Sequence, residues 1–166
     1  MTESVPAKAK PDSGVWCDLT QAAPRGLLPA QERKAVAAFV ASDPEWDGVI
    51  CVTGDVTHWV QVSAGEVVSF QSFATLRMAK ALGGTEAVTP SAVEESLARP
   101  ERLAAQLRAA ELSGDLGAVL GHLLGAELAA ARGYWLGVDL RVIGENPLAD
   151  HYEAALRGQA AMVSRA

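Results

Sequence analysis

Two short stretches of this 166-residue chain gather glycine with short polar or acidic residues at the ends of apolar runs. The first is Thr53-Gly54-Asp55-Val56-Thr57-His58, which follows Val49-Ile50-Cys51-Val52 and precedes Trp59-Val60. A glycine beside short polar side chains lets backbone N–H groups approach an anion such as a phosphate. Turn geometry alone also places Gly and Asp in tight hairpins. The second is Gly144-Glu145-Asn146, ahead of Pro147. A strand, a glycine and then a helix N-terminus leave N–H groups free for an anion or nucleotide. An ordinary turn with Asn146 as N-cap before Pro147 accounts for the same residues.

Other chemistry has less support. His58, His122 and His151 have no carboxylate or thiol at ligand spacing, which argues against a resident metal. Glu127 lies on an apolar helix face. Ser69 and Ser72 lack a nucleophile elbow, and neither G-x-G-x-x-G nor a Walker sequence occurs. The net charge of −6 argues against a nucleic-acid-backbone binder. No apolar stretch approaches the ~20 residues of a membrane helix. The polar opening Met1 to Pro11 does not read as a secretory signal. Cys17 and Cys51 make no disulfide framework, so a cytoplasmic location is expected.

The elements that must position these residues follow from periodicity. Residues 1–14 read as a disordered tail and 15–166 as a single unit, with a short edge strand at Val15–Leu19. A helix begins at Pro29 and ends before Pro44. The β-branched run 49–52 suits a strand buried on both faces. Strands at 58–62 and 67–73, joined by a turn at Ser63-Ala64-Gly65-Glu66, complete an antiparallel meander. Helices follow at 75–82, from Ser91 with Glu94 as a capping box, from Pro100, and at 116–131. A strand at 138–143 and a helix from Pro147 close the series. The order is β-β-β-α(n)-β-α, an α/β fold with a mixed sheet.

Four blocks of this sequence resemble the C-terminal half of 2-dehydro-3-deoxygalactonokinases. The stretch 49–62 is similar to V-C-L-P-G-T-H-S-K-W-V-x-V, and 65–75 to G-x-I-x-x-F-x-T-F-M-T. Leu123-Leu124-Gly125-Ala126-Glu127-Leu128 resembles L-L-I-G-x-E-L. Val138 to Gly144, with Leu148, Tyr152, Ala155 and Leu156, resembles V-x-L-I-G-x-x-x-L-x-x-x-Y-x-x-A-L. The departures are specific: Thr-His-Ser-Lys after the loop glycine becomes Asp55-Val56-Thr57-His58, and Glu in Thr-Gly-Glu-Leu becomes Arg77. Nothing in residues 1–48 matches the D-x-G-T-T phosphate loop with which the family opens.

The resemblance implies one ribonuclease-H-like lobe of the actin-like kinase fold. It implies ATP-dependent phosphorylation of 2-dehydro-3-deoxygalactonate, with ATP and Mg²⁺ as cofactors. Gly54, Asp55 and Thr57 then lie at the phosphates, with Asp55 the contact to Mg²⁺, and Gly144 and Asn146 border adenosine. The altered loop and the unmatched first lobe suggest a truncated, catalytically degenerate relative. An active kinase subunit completed by another chain is the alternative. The partner expected is a second copy, covering an exposed apolar face, or a chain supplying the missing lobe.

Overall fold

The computed structural model describes residues 2–166. A six-stranded mixed sheet is built from β2 (Ala7–Lys8), β5 (Gly48–Val52), β6 (Thr57–Ser63), β7 (Glu66–Phe73), β8 (Asp139–Ile143) and β9 (Met162–Arg165). Its order is β2-β7-β6-β5-β8-β9. The meander β5-β6-β7 is antiparallel, whereas β8 runs parallel to β5 and β9 parallel to β8. A three-stranded sheet, β1 (Thr2–Ser4), β3 (Asp18–Gln21) and β4 (Gly26–Leu28), stands apart from it.

The alternation of side chains along β5 sorts the core into two halves. Val49 and Cys51 point into one apolar cluster, with helices α2 (Thr75–Ala81), α3 (Pro90–Ala98), α5 (Leu116–Ala130) and α7 (Leu148–Gly158). Ile50 and Val52 point into the other, beneath α1 (Ala30–Ser42) and the small sheet. A strand buried on both faces needs a continuous apolar run, and 49–52 supplies it. The β6–β7 turn carries Ala64 at φ 49° and Gly65 at φ 76°, the backbone of a tight hairpin.

Helices α3 and α5 meet along Gly121 and Gly125. A Cβ on Gly125 would stand 2.2 Å from the Val93 carbonyl oxygen and 2.9 Å from the Leu97 nitrogen. The two backbones are therefore in contact. Short pieces complete the helical layer: a 3₁₀ turn at Pro100–Arg102, α4 (Leu103–Ser113) and α6 (Arg132–Trp135).

The opening segment differs from the sequence reading. Thr2–Ser4 pairs with β3, and Ala7–Lys8 extends the main sheet beside β7; only Met1 lies outside the described residues. The cause is Arg33, wholly buried on α1. Its guanidinium donates to the carbonyls of Lys8 (2.6 Å), Ala9 (3.1 Å) and Cys17 (3.2 Å), and pairs with Glu3 at 2.8 Å. A buried cation demands such partners, and the segment wraps to supply them. The strand expected at 15–19 is shifted to Asp18–Gln21. The helix expected at Ser91 starts at Pro90 after Thr89, whose hydroxyl donates to Asp115 rather than capping α3.

Gly125→Ala should lower stability by about 2 kcal/mol, despite alanine's better helix propensity, because the methyl has no room. Gly158→Ala, in α7 with nothing within 4 Å of its Cβ position, should be neutral or gain up to ~1 kcal/mol. Urea unfolding of both variants checks the opposite signs.

Candidate functional site

The strand order reverses direction at β5: β6 lies on one side and β8, reached after the helices, on the other. In open α/β sheets the crevice at such a switch point, outside the carboxyl ends of the parallel strands, is the usual ligand site. Both stretches picked from sequence end there. The Thr53 N–H donates to the Ile143 carbonyl at 2.8 Å, and its hydroxyl to the same oxygen at 3.3 Å. Residues some 90 positions apart thus form one rim.

Gly144 is required at that rim. Its φ is +152°, and a Cβ there would fall 1.9 Å from Thr53 Oγ1. Gly54 has more room, its nearest neighbour being the Val56 carbonyl at 3.4 Å. Asp55 and Asn146 are exposed at the rim. Each is met by a guanidinium. Arg77, in the first turn of α2, pairs with the Asp55 carboxylate at 2.7 Å and donates its backbone N–H to the Asp55 carbonyl at 3.3 Å. Arg165 of β9 donates to the Gly144 carbonyl at 2.9 Å and to Asn146 Oδ1 at 3.2 Å. Asn146 is consequently not the cap of α7; Pro147 holds that position with no side-chain bond.

Thr57 and His58 are turned away from solvent. Thr57 is 1% exposed, and its hydroxyl bonds Tyr152 at 2.9 Å. The physical reason is register: alternation along β6 sends Thr57 and Trp59 into the helical half of the core. His58 faces the other side, where Nδ1 meets the Ser72 hydroxyl at 2.7 Å. Burial pulls its pKa down to about 4, so it is neutral at pH 7.

Beneath the rim lies a network that sequence reasoning did not assemble. Glu127, buried on α5, accepts from Trp59 Nε1 at 2.8 Å, from the Tyr152 hydroxyl at 2.7 Å and from the Thr75 hydroxyl. Tyr152 in turn meets Thr57. Burial pushes the carboxyl up to about 7, against the opposing pull of the three donors. Burial also raises the Cys51 thiol and the Tyr152 phenol, with Glu127 adding to both. The available signal was a lone carboxylate among Leu123, Leu124 and Leu128, together with the fact that each of the four sequence blocks contributes one member.

A separate cavity of about 160 Å³ opens between α3 and α7, lined by Val88, Pro90, Val93, Ala155, His151 and Gln159. It begins one helical turn along α7 from the switch point. Among the described residues no group of three or more His, Cys, Asp or Glu side chains converges as a metal site. Nor is any helix among them long and apolar enough to cross a membrane.

The profile of the 2-keto-3-deoxy-galactonokinase family matches residues 21–166. No curated protein sequence matches the chain. Its fold is similar to the crystal structure of a putative 2-dehydro-3-deoxygalactonokinase from Sinorhizobium meliloti. The TM-score is 0.83 at 19% identity, over 98% of this chain and 67% of that one.

The Glu127 network gives a pH prediction. Its carboxyl binds protons more tightly folded (about 7) than at its ordinary 4.5. Stability from this group is therefore full below about pH 4.5 and is lost as pH rises through 7. Relative to Glu127→Gln, which cannot titrate, the natural protein should lose about 3 kcal/mol between pH 4.5 and 8. Urea unfolding of both proteins across that range measures the difference; a constant difference would show that Glu127 does not titrate there.

Proposed function

The chain belongs to the 2-keto-3-deoxy-galactonokinase family, and on that premise we propose that it binds the nucleoside part of ATP but does not itself phosphorylate the sugar acid. The strand order, an antiparallel meander followed by two parallel strands, supports a ribonuclease-H-like lobe of the actin-like kinases. In that reading the switch-point rim faces the nucleotide. The apolar slot between α3 and α7 takes a planar base, with Gln159 and His151 at its edge. Leu148 and Ala155 are about 10 Å apart along the helix, so one nucleotide can span from rim to slot.

The observation that carries the loss of catalysis is the charge on the β5–β6 loop. Phosphoryl transfer depends on positioning and on cations that clamp the phosphates. Here the loop presents Asp55, with Arg77 already engaged by it. His58, standing where the resembled loop has Lys, is buried and neutral. Thr57 is committed to Tyr152. Magnesium normally enters such sites on one or two carboxylates together with the phosphates. The two sequence-picked stretches hold two carboxylates, Asp55 and Glu145, and Arg77 neutralises the one on the β5–β6 loop, Asp55. The adenosine half of ATP fits these residues; the triphosphate and its metal do not.

A competing reading is an active kinase subunit completed by another chain. The guanidinium groups of Arg77 and Arg165 at the rim favour it, since both would suit phosphate once released from their present partners.

Calorimetry with adenosine and with ATP and Mg²⁺, beside a coupled turnover assay with 2-dehydro-3-deoxygalactonate, decides between them. We expect the two ligands to bind within about threefold of each other, a difference below about 1 kcal/mol. Ala155→Trp, which fills the slot, should abolish both. Turnover near or above about 1 s⁻¹, the low end of ordinary enzyme rates, would establish the active subunit instead.

A further inference from the structure

The carboxyl of Glu127 is buried among three neutral donors, so nothing beside it cancels a negative charge. Of the titratable groups on the elements packed around it, only Cys51 of β5 and Tyr152 of α7 act on it. His58 of β6 and Asp139 and Arg141 of β8 lie on the other face of the sheet. Arg77 and Lys80 of α2, Glu94 and Glu95 of α3, and Arg132 of α6 are exposed. Arg108 and Glu111 of α4 pair with each other. On α7, Glu153 pairs with Arg157 and Asp150 with Arg165, and His151 bonds the Glu86 carbonyl. His122, on α5 itself, is bonded to Ser96. The remedy for a buried carboxylate without a cation is a proton, and burial pushes this carboxyl up to about 7.

We propose that Glu127, Tyr152 and Thr57 form a hydrogen-bond relay that reverses when Glu127 takes up a proton, so that a buried side chain sets the β5–β6 loop above it. The direction of each bond follows from counting protons. Tyr152 gives its single hydroxyl proton to Glu127 Oε2 at 2.7 Å. In its bond to Thr57, at 2.9 Å, it can therefore only accept, and the Thr57 proton points inward. A proton added to the carboxyl has no acceptor to meet at Oε1, where the partner is the Trp59 indole N–H, a donor only. At Oε2 it meets two hydroxyls, each able to turn from donor to acceptor. Thr75 Oγ1 has no other partner among the described residues, so turning it would strand its proton in the core. Tyr152 has one: its proton passes from Glu127 to Thr57 Oγ1. The proton freed in turn is that of Thr57, where the β5–β6 loop enters β6. A buried hydroxyl proton without an acceptor is costly. The loop, half-exposed at Gly54 and Val56, is the element next to Thr57 that can shift to meet it. The relay needs no ligand at the rim and is independent of what binds there.

Heteronuclear NMR of the full chain from about pH 5 to about pH 9, a range centred on the Glu127 value, tests it. Two sets of signals are followed. The Trp59 indole N–H reports the charge of Glu127 directly, and the backbone N–H groups of Gly54, Asp55 and Val56 report the loop. In the natural protein both should titrate with one midpoint. Glu127→Gln should abolish both titrations, which separates them from those of the histidines. Tyr152→Phe removes the connecting hydroxyl, so the indole should still titrate, at a moved midpoint, while the loop signals stay flat. Thr57→Val cuts the relay one step further out and should do the same; it serves where Tyr152→Phe fails to fold. An indole signal that does not titrate in this range overturns the proposal. So do loop signals that stay flat in the natural protein, or that still follow the indole in Tyr152→Phe or Thr57→Val.

Discussion

A carboxylate taken out of water must have its lone pairs met by donors, and Glu127 is met only by neutral ones. Its three partners come from three different elements: Trp59 from β6, Thr75 from the start of α2, and Tyr152 from α7. With Glu127 itself on α5, four elements converge on two oxygen atoms. Removing any donor leaves part of a buried charge unsatisfied, which costs far more than an exposed hydrogen bond returns. The sheet and the helical layer are thus held in one relative position by the requirements of a single side chain. The raised proton affinity of the carboxyl is the other expression of that constraint.

The rim inherits its geometry from this network. Tyr152 reaches Thr57 at the base of the β5–β6 loop, and the same tyrosine belongs to the helix that leaves the β8 end. The two loops are therefore braced from below. They also touch directly, Thr53 on Ile143 and Gly144. What the network does not govern is the charge above it. Asp55, Arg77, Asn146 and Arg165 are exposed or half-exposed, and their pairing is decided locally. A scaffold and its electrostatics can therefore change separately.

The N-terminal segment repeats the principle on the opposite face. There the demanding group is a cation, Arg33, satisfied by three carbonyls and Glu3. Residues without any periodic pattern become ordered because they are the nearest source of acceptors. The segment is held here by meeting the one buried cation, Arg33, and not by apolar area alone.

What the sequence determined by itself was whatever is periodic or locally encoded. The apolar run 49–52, the Ala64-Gly65 turn and the proline-headed helices each carry their physical cause within a few residues. The meander, the parallel return strand and the helix from Pro147 were legible on that basis. So were the two loops that meet at the rim, because a glycine at a strand end is a local signal. Tertiary structure alone decided the rest. Thr57 is polar and lies beside a loop glycine, so it reads as a ligand; register on β6 turns it inward. Asn146 before Pro147 reads as a cap; Arg165, from a strand with no pattern of its own, claims its side chain. Glu127, Trp59, Thr75 and Tyr152 are scattered over 94 positions, and nothing in the spacing of a buried charge names its donors. That choice belongs to the packing of sheet against helices, where proximity in space replaces proximity in sequence.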